Sequence, residues 1–170
     1  MVRSGIMPRL IVVCGRQYAG KTTFAATLGG AAGFPVFEIG AFVFAEAEAR
    51  GLSPHDYADE AFRRGDFKQF VHNALAAIPI GVGSAVLVGP RTVPEIEFLR
   101  NASAQSLCIG LIADRDERHR RWARSVPRKP HVATDDLWQA REHFEDRWAI
   151  DDALAICDVR IAGVNYGNGT

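Results

Sequence analysis

The fold of this chain is decided by one stretch near its amino terminus, Leu10-Ile11-Val12-Val13-Cys14-Gly15-Arg16-Gln17-Tyr18-Ala19-Gly20-Lys21-Thr22. Its apolar start predicts a buried β-strand, and residues 24–28 predict the opening of a helix that ends at Gly29-Gly30. Between strand and helix, residues 15–22 fit the spacing G-x-x-x-x-G-K-[ST] at every fixed position. This order of elements points backbone N–H groups and the positive end of a helix at one place. The stretch therefore predicts a loop that binds a polyphosphate.

Each residue of this phosphate-binding loop, the P-loop (residues 15–22), has an expected task. Gly15 and Gly20 permit a backbone geometry and a close approach that a Cβ atom would block. Lys21 is expected to reach the β- and γ-phosphates of ATP, and the Thr22 hydroxyl to ligate Mg²⁺. The complete predicted nucleotide site consists of Gly15, Tyr18, Ala19, Gly20, Lys21, Thr22 and Thr23.

Length and composition predict one globular domain over residues 1–170. With 170 residues and 48% hydrophobic content, the chain can bury one sizeable core. Its 20 basic and 20 acidic residues cancel, which disfavours a generally basic nucleic-acid binder but leaves a local basic patch open. No apolar run suggests a signal peptide or a membrane span, so we expect a cytoplasmic protein, or one in the host cytoplasm if it is viral.

Cysteine and histidine positions predict no structural metal. The three cysteines, Cys14, Cys108 and Cys157, lie far apart in the sequence without the spacing of a zinc or redox motif. Each lies in or beside an apolar stretch, which predicts buried, reduced thiols. The histidines likewise lack metal-ligand spacing.

Strand and helix patterns alternate along the chain and predict the fold class. Further strands are expected at residues 34–39, 85–88, 106–113 and 158–161, with helices between them. Because parallel neighbours need crossover connections, this order predicts an α/β fold, a three-layer α/β/α P-loop NTPase with a five-stranded parallel sheet. Ligands bind beyond the carboxyl ends of such strands. Four loops therefore need examination, at residues 15–23, 38–44, 89–92 and 114–121.

On these loops, the chain resembles the small P-loop kinases of the nucleoside-monophosphate-kinase-like group, in particular the dephospho-CoA-kinase-like or archaeal nucleotide-kinase-like branch. The resemblance rests on the P-loop, on Ile39-Gly40 and the helix after it, on Gly89-Pro90-Arg91, and on an arginine-rich segment before Thr134. It implies transfer of a phosphoryl group from ATP with Mg²⁺, and a helical lid at about residues 114–134.

The resemblance also implies lid arginines that fold over the phosphates. Arg118, Arg121 and Arg124 are candidates, because their spacing places them near one helix face. The other interpretation of each arginine is a solvated basic face. Of the three, Arg118 and Arg121 are the predicted catalytic arginines.

Two departures from the family concern the acceptor side. Where relatives carry an Asp and an Arg after the second strand, this chain has Ala41 and Phe44, and Val88 replaces a carboxylate that commonly ends the third strand. Phosphoryl transfer benefits from a carboxylate as base or metal partner. Glu38, near the end of strand two, is therefore the predicted catalytic carboxylate, with Asp114 second; Glu38 could instead be an outward-facing strand residue.

Aromatic and basic residues predict the acceptor site. Phe42 and Phe44 lie where the acceptor should enter and could stack on a flat base, although packing is their default explanation. Arg64 and Arg91 could hold a phosphate, either terminal or in a polynucleotide backbone. These four are the predicted substrate-binding residues.

Three functions stay open at this point. The first is an ATP-dependent kinase that acts on a nucleotide-type acceptor. The second is a kinase that phosphorylates the hydroxymethyl group of 5-hydroxymethyluracil in DNA, as small P-loop kinases do in phage pathways; the basic segment at residues 115–129 favours it and the neutral net charge does not. The third is a non-catalytic nucleotide-binding switch, suggested by the missing acids at positions 41 and 88.

Overall fold

The structure, a computed structural model, describes residues 8–66, 68–125 and 135–162. One sheet of five strands lies at its centre, with the strand order β2-β3-β1-β4-β5 and every neighbouring pair parallel. The strands are β1 (Arg9–Gly15), β2 (Val36–Glu38), β3 (Ser84–Val88), β4 (Ser106–Ile112) and β5 (Val159–Ala162). The helices are α1 (Lys21–Ala32), α2 (Ile39–Ala49), α3 (Pro54–Arg64), α4 (Lys68–Ala77), α5 (Val93–Ala102), α6 (Arg115–Ser125), α7 (Asp135–Arg147) and α8 (Ile150–Ala155).

The apolar run of β1 is continuous because this strand lies in the middle of the sheet, where both faces are covered. Leu10, Val12 and Cys14 belong to a core that also contains residues of α2, α3, α4, α5 and α8. Val13 belongs to a second core on the opposite face, where Ala25 of α1 packs. Alternate residues of one strand thus fill two cores, as expected for a buried parallel strand. The predicted α/β class with a five-stranded parallel sheet between two helical layers is confirmed.

Sequence signals at helix ends were reliable where a side chain makes the cap. The Ser53 hydroxyl accepts a hydrogen bond from the Asp56 N–H and begins α3, with Pro54 at the first helical position. Thr92 and Glu95 form a reciprocal capping box at the start of α5. Both helices therefore begin at a capping side chain that directly precedes them in the sequence.

Two boundaries differ from the prediction. Helix α1 passes through Gly29-Gly30 and ends at Ala32, and its C-cap Gly33 has a left-handed φ of 68°. Gly29 instead permits close packing, since a Cβ there would lie 2.5 Å from Val36 Cγ2 and 2.8 Å from the Phe34 carbonyl oxygen. Strand β2 is shorter than predicted, because Ile39 already belongs to α2.

The lid region is described in part. Helix α6 covers the first half of the predicted lid, whereas residues 126–134, including the expected helix cap Thr134, lie outside the described residues. The extent of the lid and the single domain over residues 1–170 stay predictions. Across the described ranges, no helix is long and apolar enough to cross a membrane.

Candidate active site

The P-loop connects β1 to α1 at the carboxyl end of the central strand. A Cβ at Gly15 would lie 2.8 Å from the Leu111 carbonyl oxygen on β4, so only glycine fits there. Gly20 and Tyr18 both have positive φ values, of 98° and 62°. A positive φ is unusual for tyrosine. The Tyr18 ring packs near Trp138 of α7, which helps to hold this conformation.

Lys21 is enclosed by the loop that it follows. Its Nζ donates hydrogen bonds of 2.7 Å to the carbonyl oxygens of Gly15 and Arg16. Burial and the charge of Arg91 lower the pKa of Lys21 to about 8, while the Glu145 carboxylate acts in the opposite direction. The ammonium group therefore loses its proton at a lower pH than that of a free lysine, and a bound polyphosphate would favour its charged form.

Helix α7 supports the P-loop from its outer side. The Glu145 Oε1 atom accepts the Gln17 backbone N–H at 2.8 Å, and Arg141 Nη1 donates to the Gln17 side-chain oxygen at 2.6 Å. Arg16 forms ion pairs of 2.7 Å with Asp146 at the end of α7 and with Asp151 in α8. The loop is thus positioned by residues more than 100 positions further along the chain.

Glu145 is a functional candidate that the sequence analysis did not identify. Only 1% of it is exposed, and its Oε2 atom has no hydrogen-bond partner among the described residues. Its charge acts on both Lys21 and Arg91. Its spacing from Trp138 and Glu142 could have indicated that it is buried, because the three residues lie on one face of α7. Buried carboxylates are rare, and ionisable groups with unusual environments concentrate at functional sites.

The two predicted lid arginines have different positions. Arg118 is buried and forms a bidentate pair with Glu142 of α7, at 2.6 and 2.7 Å, beside the Trp138 ring. Its charge contributes to the lowered pKa of Lys21, but its terminal nitrogens are engaged by the carboxylate. Arg121 Nη1 donates to the Tyr18 carbonyl oxygen at 3.1 Å, so Arg121 directly contacts the P-loop.

A cavity of about 460 Å³ opens beside the P-loop and is lined by α2, α3, α7 and the loop after β3. Its contact with the P-loop is Gln17. Two arginines, Arg91 and Arg141, line it among aromatic rings, and the Arg91 guanidinium lies 4.9 Å from the centre of the Trp148 ring. The aromatic side chains of the wall are Phe44, Phe62, Phe70, Phe144 and Trp148. The Trp148 indole N–H is buried without a hydrogen-bond partner among the described residues.

The structure brings two of the four predicted acceptor residues to this cavity. Phe44 and Arg91 line it. Phe42 instead packs against the larger core, because it lies on the inward face of α2. Arg64 lies on the exposed face of α3, pairs with Glu60 and borders a separate cavity of about 170 Å³.

The predicted carboxylates lie at the edge of the site. Glu38 ends β2 with an exposed side chain and is absent from the wall of the large cavity. Asp114 accepts the Glu117 N–H at 2.7 Å and thereby caps α6. The Thr22 and Thr23 side chains at the start of α1 are exposed, which suits Thr22 as a ligand of Mg²⁺ that arrives with a nucleotide. No group of three or more acidic, histidine or cysteine side chains in the described parts of the chain could hold a metal by itself.

Solved structures share this fold. No protein-family model and no curated protein matches the chain. Shikimate kinase from Bacteroides thetaiotaomicron matches with a TM-score of 0.63 and 16% identity, over 91% of this chain and 86% of that one. A gluconokinase from Sinorhizobium meliloti 1021 matches with a TM-score of 0.58 and 18% identity, over 92% and 83% of the two chains. Shikimate kinase from Acinetobacter baumannii, in complex with shikimate, matches with a TM-score of 0.59 and 18% identity, over 94% and 86%.

These similarities establish the class of the fold. The chain has an α/β fold with a five-stranded parallel sheet that matches the fold of these small kinases. The identities are too low to identify the branch within that class. The acceptor must therefore be argued from the cavity itself.

Proposed function

We propose that this protein is a phosphotransferase that moves the γ-phosphoryl group of ATP to a small acceptor of nucleotide type. The observation that carries the proposal is the cavity beside the P-loop, which combines aromatic walls with Arg91 and Arg141. Aromatic walls suit a flat ring, and guanidinium groups suit a phosphate or carboxylate on the same molecule. An acceptor with both features fills this site better than a hydroxylated sugar acid would.

The P-loop supports the donor side of this proposal. Lys21 and the amides around Gly20 would bind the β- and γ-phosphates of ATP, and Thr22 would ligate Mg²⁺. The metal ion would neutralise charge on the transferred group. Arg121, already in contact with the loop, is the lid arginine best placed to add a positive charge.

The wall of the cavity supports exclusion of water from the transfer. The rings of Phe144 and Trp148 pack with centroids 4.2 Å apart, next to Phe62. Water is the competing acceptor in any kinase, so an apolar enclosure favours transfer to the bound molecule.

A modified base in DNA remains an alternative acceptor, because a flipped base could enter the same aromatic cavity. The charge arrangement of α6 argues against a broad DNA-binding surface. Arg115 and Arg118 pair with Glu142, and Arg120 and Arg121 pair with Glu117. Two carboxylates thereby offset half of the positive charge of these four arginines.

A single-turnover transfer assay with γ-labelled ATP tests the proposal. The acceptor panel contains nucleosides, nucleoside monophosphates, dephospho-CoA, shikimate, gluconate, and DNA with 5-hydroxymethyluracil. Transfer to a nucleoside or nucleotide is expected. Preferred transfer to DNA supports the alternative, preferred transfer to shikimate or gluconate contradicts the nucleotide-type acceptor, and ATP binding without any transfer supports a nucleotide-binding switch.

Substitution of Arg91 connects the activity to the cavity. In Arg91→Met, the KM for the acceptor is expected to rise by about 10- to 100-fold, because a charge-assisted contact is lost. The Kd for ATP should change much less. Arg160→Met removes an exposed arginine from the edge strand β5 and is the matched control. A loss in Arg64→Met, but not in Arg91→Met, would place the acceptor at Arg64 and contradict its binding in this cavity.

A further inference from the structure

Two cysteine sulfurs lie in contact on the side of the sheet opposite to α1. Cys108 is in β4, Cys157 is in the turn between α8 and β5, and their Sγ atoms are 3.2 Å apart. The Cys14 thiol, one residue before the P-loop, also interacts with Cys157. The sequence predicted buried, reduced thiols. All three cysteines are free and Cys14 and Cys108 are buried, but Cys157 is only partly buried. The fold also brings together cysteines that lie far apart in the sequence.

Backbone pairing brings Cys157 to Cys108. The Asp158 N–H donates to the Cys108 carbonyl oxygen at 2.9 Å, and the Cys108 N–H donates to an Asp158 carboxylate oxygen at 2.8 Å. A Cβ at Gly110 would lie 3.3 Å from the Cys157 Sγ atom, so this glycine leaves the room that the thiol occupies. The sulfur contact is therefore a consequence of strand register.

We propose that Cys108 and Cys157 form a thiol-oxidation site, at which a hydroperoxide converts the pair into an intramolecular disulfide. An S–S bond is about 2.05 Å long, so the sulfur atoms need to approach by roughly 1 Å. Rotation about side-chain bonds supplies such a movement, because Cys157 lies in a turn at the sheet edge. This inference does not depend on the proposed kinase activity.

The surroundings assign different tasks to the two thiols. The interaction with the Cys108 thiol, followed by that with Cys14, lowers the pKa of Cys157. Arg100 adds a positive charge nearby, since its guanidinium donates to the Ile156 carbonyl oxygen and to Asp158, on either side of Cys157. Interaction with Cys157 and burial raise the pKa of Cys108, which is 1% exposed. Cys157 is therefore the attacking thiolate and Cys108 the resolving thiol.

The reaction balances with a hydroperoxide as the oxidant. The Cys157 thiolate attacks the terminal peroxide oxygen, the O–O bond breaks, and the released alkoxide or hydroxide takes a proton. The resulting sulfenic acid is attacked by Cys108, which forms the S–S bond and releases water. Two thiols are oxidised and one peroxide is reduced, to an alcohol or water plus one further water.

Intact-mass measurement and non-reducing peptide mapping of the full chain test the site. Treatment with hydrogen peroxide should lower the intact mass by about 2 Da for the two hydrogens, measured before the free thiols are alkylated. Alkylation of the oxidised chain should then label one thiol, Cys14. Peptide mapping should show a disulfide between the peptides that contain Cys108 and Cys157. Dithiothreitol should restore three free thiols. The melting temperature of the oxidised form should be several degrees higher, because the bond closes a long loop.

Three substitutions make the assignment specific. Cys108→Ser and Cys157→Ser should both lose the disulfide, and Cys108→Ser should accumulate sulfenic acid at Cys157. Cys14→Ser is the matched control and should still form the Cys108–Cys157 bond. A stable sulfinic acid at Cys157 in the wild-type chain, or a bond from Cys157 to Cys14, would overturn the proposal. Mapping of the wild-type chain keeps the result clear even if a variant folds poorly.

Discussion

At the residue scale, Glu145 is the buried acid that contacts the P-loop. The positions at which the family that the chain resembles carries acids hold Ala41 and Val88 in this chain. Glu145 reaches the P-loop from α7 and binds the Gln17 N–H while it remains almost fully buried. We infer that it acts as a positioning residue, which orients the loop and supports the charge of Lys21.

The pH dependence of Glu145→Gln tests this role. Burial, Arg91 and Arg118 lower the pKa of Lys21 to about 8, while Glu145 and Cys14 act in the opposite direction. Loss of the anion lowers that pKa further, so Lys21 loses its proton at a lower pH. The alkaline limb of kcat/KM for ATP should therefore move down by roughly 0.5–1 pH unit.

Glu97→Gln is the control for this experiment, because it removes an exposed carboxylate from α5. Its alkaline limb should coincide with that of the wild type. An equal loss of rate by Glu145→Gln at every pH would show a purely structural role and contradict the electrostatic one.

At the element scale, the contact between α1 and the turn before β2 depends on one glycine. In Gly29→Ala the new methyl group would meet Val36 and the Phe34 carbonyl oxygen, so we expect a loss of about 1–3 kcal/mol in the free energy of unfolding. Gly30→Ala is a matched control in the same helix, with open space at its Cβ position. It should gain about 0.5–1 kcal/mol from helix propensity. Urea denaturation of both variants measures the difference, and equal effects would contradict the close packing at Gly29.

The pair Arg118–Glu142 joins α6 to α7, and its role can be separated from catalysis. Arg118→Met removes the main partner of the buried Glu142 carboxylate. The free energy of unfolding should therefore fall by about 3–5 kcal/mol. Arg118→Met with Glu142→Leu should recover most of that loss, because no unpaired charge remains buried. Denaturant titration gives both values. A stable Arg118→Met protein with greatly reduced phosphoryl transfer would instead place Arg118 on the phosphates.

At the scale of the whole molecule, the P-loop is the point where distant parts of the chain meet. Its neighbours include β4, α6, α7 and α8, through Leu111, Arg121, Glu145 and Asp151. A ligand that orders the loop should therefore stabilise contacts across the molecule.

Thermal unfolding with and without Mg-ATP measures this coupling. At a ligand concentration of 100 times Kd, stability should increase by about 2.7 kcal/mol, which corresponds to roughly 5–10 °C for a chain of this size. Lys21→Ala should unfold without any shift at the same ATP concentration. An unchanged shift in Lys21→Ala would refute the proposed nucleotide site.

The sequence by itself determined the P-loop, the parallel sheet and the capped start of α3. These features are written in local patterns: the spacing of Gly15, Gly20 and Lys21, the apolar run of β1, and the cap at Ser53. Each depends on residues that are close together in the chain, so a pattern over a short window is sufficient.

Only the tertiary structure decided how the site is completed. Glu145 meets the P-loop across a separation of 128 residues, and Cys108 meets Cys157 across 49. It also separated Arg91, which faces the cavity, from Arg64, which does not. Such meetings depend on strand order, on register and on which face of a helix is turned inward. These are properties of the packed molecule, because the sequence around a residue does not identify the distant residue that it contacts after folding.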